Sequence, residues 1–249
     1  MDLELPDLGR RSLSTVVPSS NRLFDRLSAA ARERLRPHTE LVHLSKGRVL
    51  HDISEPPRHA FLLLDGMVSL MPFTEDGNTM EVATVCNDGF VGLSLVLAGT
   101  PSPYQAIVQL PGAAYRINGE AFHREYRRGE DLQSVALAYV DDVMRQVVQS
   151  AICLSSHTMV PRLSRWLLVS RDCTRSNTIE LTQEGIAHRL GLSRPKISQA
   201  LVTLEQRQLI HQGHGRIHIV DPRGLEAISC DCYRLAKQAV TAEVLRRRP

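Results

Sequence analysis

The feature that most limits the fold lies between residues 41 and 117, where short apolar runs alternate with turn signals. LVHL precedes Lys46-Gly47, FLLL precedes Asp65-Gly66, and MVSLMPF precedes Glu75-Asp76-Gly77-Asn78. MEVATV then leads to Asn87-Asp88-Gly89, AIVQL to Pro111-Gly112, and AAYRI closes the series. No helical pattern alternates with these runs. A parallel sheet, which needs a long crossover between neighbouring strands, is therefore disfavoured. The spacing predicts an antiparallel sandwich, barrel or jelly roll.

Helical patterns flank this block. Leu23, Phe24, Leu27, Ala30, Ala31 and Leu35 share one face of 21–35. From about 129 to 155 two stripes repeat every seven residues, Val140-Val147-Leu154 and Ala136-Val143-Ser150. Alternating steps of three and four form the seam of a coiled-coil-like pairing. Ala136, Val140, Val143, Val147 and Leu154 are thus the expected dimer interface. Val135, Tyr139 and Met144 lie beside that seam, so the helix is expected to pack on its own domain as well as on a partner. A further helix over 159–172 carries Leu163, Trp166, Leu167 and Ser170 on one face.

The next unit is the most specific. Thr182 precedes QEGIAHRL as an N-cap, with Glu184 in the first turn, where a carboxylate suits the helix dipole. Gly191 ends that helix as a C′ glycine does, Leu192 plugs the core, and Ser193 is expected to cap the next helix. There Ile197, Ala200, Leu201 and Leu204 make one apolar face. Pro195 is tolerated in the first turn, where its missing N–H has no intrahelical partner. Arg194, Lys196, Ser198 and Gln199 are left at the exposed N-terminal end, with donors suited to base edges and phosphates. LIHQGHGRIHIVD then reads as a hairpin turning at Gly213 and Gly215, a wing with Arg216 placed for phosphate. A tight helix–turn–helix with a wing is a DNA-reading unit. The expected DNA-contacting residues are Thr182, Gln183, Ser193, Arg194, Pro195, Lys196, Ser198, Gln199 and Arg216.

Charge agrees. Residues 161–249 hold 15 Lys and Arg against 8 Asp and Glu, whereas residues 1–160 hold 15 against 19. A basic third beside an acidic remainder suits a polyanion-binding domain attached to something else. The five cysteines are odd in number and scattered, with no C-x2-C pair. They are read as reduced thiols, with no disulfide framework and no metal ligand assigned. No nucleophile–base spacing, phosphate loop or HExxH occurs, so neither an enzyme nor a cofactor is expected. No apolar stretch approaches a membrane span, and the acidic start MDLELPDLGR has no signal-like core. The expected compartment is the cytoplasm.

With these motifs in place, the sequence resembles the Crp/Fnr family of bacterial transcription regulators from about 23 to 235. The most specific part is 181–233, ending in Leu225-Glu226 and Ser229-Cys230-Asp231-Cys232-Tyr233. These look like the LE-x-x-(S/A)-C-E-C-Y ending of one branch. The resemblance implies an α+β fold: an N-terminal β-roll of the cyclic-nucleotide-binding type, a long dimerisation helix and a C-terminal winged helix–turn–helix. The implied division is an arm (1–22), an effector domain (23–128), a dimerisation helix (129–158) and a DNA-binding domain (159–249). It further implies a homodimer that binds a two-fold symmetric operator on double-stranded DNA and meets RNA polymerase to activate or repress transcription. The second reading is a dimeric signalling or scaffolding module that no longer reads specific DNA.

The chain departs from the family pattern at both ends of the signal path. Nucleotide-responsive members read bases with Arg and Glu at the start of the recognition helix and a second Arg four residues later. Here those positions hold Arg194, Pro195 and Gln199, so the operator should differ. The family's G-E-x-G pocket motif reads Gly89-Phe90-Val91-Gly92, and TPSPYQAIVQ (100–109) has no arginine for a cyclic phosphate. The effector pocket, expected around Gly89, Phe90, Gly92, Tyr104 and Gln105, is therefore degenerate, and its small-molecule effector is undefined. An iron–sulfur cluster of the family's type needs cysteines near the N-terminus, and the first here is Cys86. His38, His43, His51 and His59 read as surface histidines rather than haem ligands. For Cys230 and Cys232, a redox or metal role and simple packing beside Tyr233 both stay open.

Overall fold

The computed structural model describes residues 21–97 and 101–236. Nearly all of the expected arm lies outside them. Asn21 belongs to the body of the protein: it is buried, its amide donates to the carbonyls of Leu63 and Gly89 (2.8 and 2.9 Å), and its Oδ1 accepts from Phe24 N. A short helix α1 (Ala29–Leu35) follows, capped by the Ser28 hydroxyl.

The strand series folds as two four-stranded antiparallel sheets. One is ordered β1 (Thr39–Leu44), β8 (Gly112–Asn118), β3 (His59–Leu63) and β6 (Phe90–Val91). The other is ordered β2 (Val49–His51), β7 (Gln105–Leu110), β4 (Met67–Met71) and β5 (Ala83–Val85). Apart from β4 and β5, paired strands in these sheets are not consecutive in sequence, as a roll requires. Every residue of β4 is buried, which breaks the in–out alternation of a one-sided strand. Val68 and Leu70 point into the roll, while Met67 joins the second core with Leu163, Trp166 and Leu167.

Helix α2 (Gly119–Arg127) leads to α3 (Asp131–Ser156), 26 residues and about 39 Å long at 1.5 Å per residue. Arg34 holds this junction, bonded to both carboxylate oxygens of Glu125 (2.9 and 2.7 Å) and to Glu130 (2.7 Å). Helix α4 (Met159–Thr174) then begins the second core, completed by α5 (Gln183–Leu190), α6 (Arg194–Gln206) and α7 (Pro222–Ile228). Strands β10 (Ile210–Gly213), β11 (Arg216–Ile219) and β9 (Thr178–Ile179) form the wing, with β11 in the middle. The predicted α+β architecture of roll, long helix and winged helix–turn–helix is present.

Two cysteines correct the sequence reading. Cys86, just after β5, is disulfide-bonded to Cys173 in α4, with Cα atoms 5.3 Å apart. They lie 87 residues apart in sequence, so spacing alone could not pair them. The winged unit also touches the roll through polar contacts: Glu81 N donates to Arg189 O (2.8 Å) and Lys46 Nζ to Glu180 O (2.8 Å).

Candidate nucleic-acid interface and effector pocket

The reading unit is built by local rules. Thr182 Oγ1 accepts from Gly185 N (3.1 Å), capping α5. Gly191 is left-handed (φ 63°), and its N–H and that of Leu192 both return to the Ala187 carbonyl. A side chain there would strain the turn that aims α6. Ile197, Ala200, Leu201 and Leu204 are buried as expected. Ser193 stands at the N-cap position in extended geometry but makes no side-chain cap bond, a correction to the expected cap. Ser193 is exposed, and its backbone carbonyl accepts from Ile197 N (3.3 Å).

Arg194, Pro195, Lys196 and Gln199 are exposed and Ser198 half-buried. Among the described residues, neither Arg194 nor Lys196 has an internal ion pair. The free N–H groups and dipole of the helix start add to their positive field. Arg216 is exposed at the start of β11. Two of the expected contacts have structural duties: Thr182 is the cap, and the Gln183 amide donates to Gln212 Oε1 (3.1 Å). Gln212 in turn donates through its backbone and amide to Glu205 (2.8 and 2.9 Å). This relay ties α5, α6 and the wing together, and those bonds hold the Glu205 carboxyl below its ordinary pKa. The sequence reading missed it because polar residues in a helix and a hairpin carry no periodicity. It also missed Arg189, buried against Trp166 with its guanidinium 5.9 Å from the ring and bonded to Gly185 O. Burial lowers the Arg189 pKa to about 10. In sequence, an arginine in a last helical turn reads as a solvated partner of the dipole.

The effector pocket residues Gly89, Phe90 and Gly92 meet around β6, while Tyr104 and Gln105 lie across at β7. Phe90 is fully buried, 5.2 Å from the Phe122 ring and 5.1 Å from the Tyr139 ring. Tyr139 comes from α3, so the helix itself enters the roll. Gly89 leaves room for the Tyr139 side chain, since a Cβ at this position would clash with Cε2 and Cζ of that ring. Tyr104 packs 5.5 Å from the His51 ring, and burial raises its pKa. Burial also raises the Asp88 pKa from its ordinary value and lowers that of His51.

Helix α3 shows two faces. Ala136 and Val143 are buried in the roll's core, and Val140 and Val147 pack against it. Of the five expected seam residues, Leu154 alone is exposed. The solvent face instead presents Leu137, Met144, Val148 and Ile152. A seven-residue repeat does not say which surface covers it, and here the roll covers the stripe that contains Ala136 and Val143.

Residues 41–128 match the cyclic nucleotide-binding domain family, and residues 161–228 the Crp-like helix-turn-helix domain family. Over 195 residues the chain is 23% identical to the Global nitrogen regulator of Synechococcus elongatus, covering 75% of this chain and 88% of that one. Over 140 residues it is 25% identical to the Neuropathy target esterase sws of Drosophila ananassae. That match spans 53% of this chain but 9% of the esterase, so it speaks for a shared domain and not for the esterase's activity. In structure the chain is similar to a CRP/FNR-family transcriptional regulator of Thermus thermophilus (TM-score 0.61, 18% identity, 76% of this chain and 98% of that one). No helix among the described residues is long and apolar enough to cross a membrane. With a cyclic nucleotide-binding domain and a Crp-like helix-turn-helix joined in this order by a long helix, the chain belongs to the Crp/Fnr family of transcription regulators.

Proposed function

We propose that this chain binds a palindromic operator as a homodimer, reads it with the first turns of α6, and does so without cyclic AMP bound in the family's usual way. The observation that carries the reading is the exposed N-terminal end of α6, where the side chains of Arg194, Lys196 and Gln199 have no hydrogen bond or ion pair among the described residues. Arg194 suits guanine, Gln199 suits adenine, and Lys196 and Arg216 suit phosphate. Dimer formation is assigned to the exposed apolar stripe of α3, Leu137, Met144, Val148 and Ile152, in place of the buried one. A cyclic phosphate in the roll would have neither the arginine nor the ribose-binding glutamate of the family pattern, and burying such a charge without a cation is costly. Phe90 occupies the glutamate's position and is packed on both sides by aromatic rings. RNA polymerase as a partner, the cytoplasm as the compartment and the domain limits near 23, 129 and 159 follow from the same reading.

The test is selection from a randomised duplex library with the purified chain, without added ligand, at two salt concentrations. The expected result is a palindrome with half-sites about one helical turn apart, retained less at high salt as counterion release weakens. Absence of any enriched motif, both alone and after addition of cell extract, overturns the proposal in favour of a dimeric scaffold.

A further inference from the structure

Three of the five cysteines lie together away from both large cores. Cys153, Cys230 and Cys232 form a separate buried cluster, and His157 adjoins it. Cys153 and His157 come from the end of α3, one turn apart, where His157 N closes the helix on Cys153 O. Cys230 and Cys232 come from the segment just after α7. The four ligand atoms all lie within 4.8 Å of one another. Cys153 Sγ is 3.6 Å from Cys230 Sγ, and Cys232 Sγ is 3.5 Å from His157 Nδ1.

From this geometry we infer that Cys153, His157, Cys230 and Cys232 form a mononuclear site for a thiophilic divalent cation, zinc(II) by its chemistry. Zinc bound at about 2.3 Å to sulfur and about 2.0–2.1 Å to nitrogen in a tetrahedron needs ligand atoms roughly 3.5–3.8 Å apart. Both of these separations already meet that need. Three thiolates and one imidazole are a soft donor set suited to zinc and unsuited to magnesium or calcium. Four protein ligands close the coordination sphere, which marks a structural rather than a catalytic site.

The outer contacts have the form that orients metal ligands. His157 turns Nδ1 to the cluster and Nε2 to Asp231 Oδ1 at 3.3 Å, a carboxylate–histidine–metal arrangement. Gln149 Nε2 donates to Cys232 Sγ at 2.9 Å, a bond that would favour a thiolate over a thiol. The sequence hides the site because its halves are 73 residues apart and the close pair is C-x-C. The cation would join the residue pair just before the winged unit to the pair just after it. All of α4 to α7 would then lie inside one metal-closed loop.

Cobalt(II) is the probe. It is titrated into the reduced, metal-free, full-length chain in competition with a chromophoric chelator. The expected result is one equivalent bound per chain, with sulfur-to-cobalt charge-transfer absorption and four-coordinate d–d bands, both lost when zinc(II) is added. A chain carrying Cys86→Ser and Cys173→Ser should bind as the parent does, and Cys232→Ser should lose stoichiometric uptake. Since Cys232 is buried and its variant can misfold, Asp231→Asn at the surface is the second variant. It should weaken affinity by about 10–100-fold. A parent chain that takes up no cobalt, or bands that persist in a Cys153→Ser/Cys232→Ser chain, would overturn the site. Unchanged affinity in Asp231→Asn would overturn His157 as a ligand.

Discussion

Replacing Phe90 by alanine tests whether the effector pocket is filled by the protein itself. The side chain is 0% exposed and lies between the rings of Phe122 and Tyr139. Truncating a buried phenylalanine costs about 3–5 kcal/mol, from lost transfer energy and the residual cavity. Two aromatic neighbours place Phe90 in the upper part of that range, since each well-oriented pair adds about 0.5–1.5 kcal/mol. At about 2–4 °C per kcal/mol for a chain of this size, about 4–5 kcal/mol should lower the midpoint by roughly 8–20 °C. The assay is thermal unfolding of parent and variant by circular dichroism. Because the new void is apolar, a small aromatic hydrocarbon should restore part of the loss in the variant and do nothing for the parent. If Phe90 merely lined an open ligand pocket, the truncation would enlarge existing space and the midpoint would barely move. A drop of less than about 3 °C, roughly 1 kcal/mol on the same scale, refutes the self-filled pocket.

Arg194→Ala should weaken binding to the selected site by about 1–3 kcal/mol and relax one base position, whereas Lys196→Ala or Arg216→Ala should weaken all sequences evenly; competition binding on single-base variants separates the two. Met144→Glu with Val148→Glu should yield a folded monomer by sedimentation, because both residues are exposed, while Val143→Glu should unfold the chain by placing a charge in the core. The Glu205 carboxyl has a depressed folded-state pKa, so its contribution is present above the ordinary carboxylate range and is lost as pH falls through the folded value. Protection of the Gln212 amide, measured as its hydrogen exchange relative to the intrinsic rate at each pH, should therefore fall on acidification below the ordinary glutamate range, and Glu205→Gln should remove the pH step.

The elements set by local chemistry were legible in the sequence. The Gly191 turn, the Thr182 cap, the buried face of α6 and the ends of α3 and α4 all depend on neighbours a few residues away, and the structure places them as expected. Partner choice across distance was not legible. The α3 repeat reads as one seam for a partner, and only the position of the roll decides that its Ala136, Val140, Val143 and Val147 turn inward. Met67 looked like any strand residue until α4 covered its face. Cys86 and Cys173, read as free thiols, meet only because two domains dock. Ser193 has the residue type of a cap and the backbone of one, yet its hydroxyl forms no bond to the helix.

The bond between Cys86 and Cys173 limits how the two halves can travel. A disulfide tolerates Cα separations up to about 7 Å, and here the atoms are 5.3 Å apart. At that point the winged unit can therefore shift from the roll by less than about 2 Å while the bond lasts. The closed ring of chain contains β7, β8, α2 and the whole of α3, so the helix that separates the domains is held inside a fixed perimeter. Rotation about that point stays open, but separation of the reading head from the roll there beyond this distance requires the two sulfurs to part.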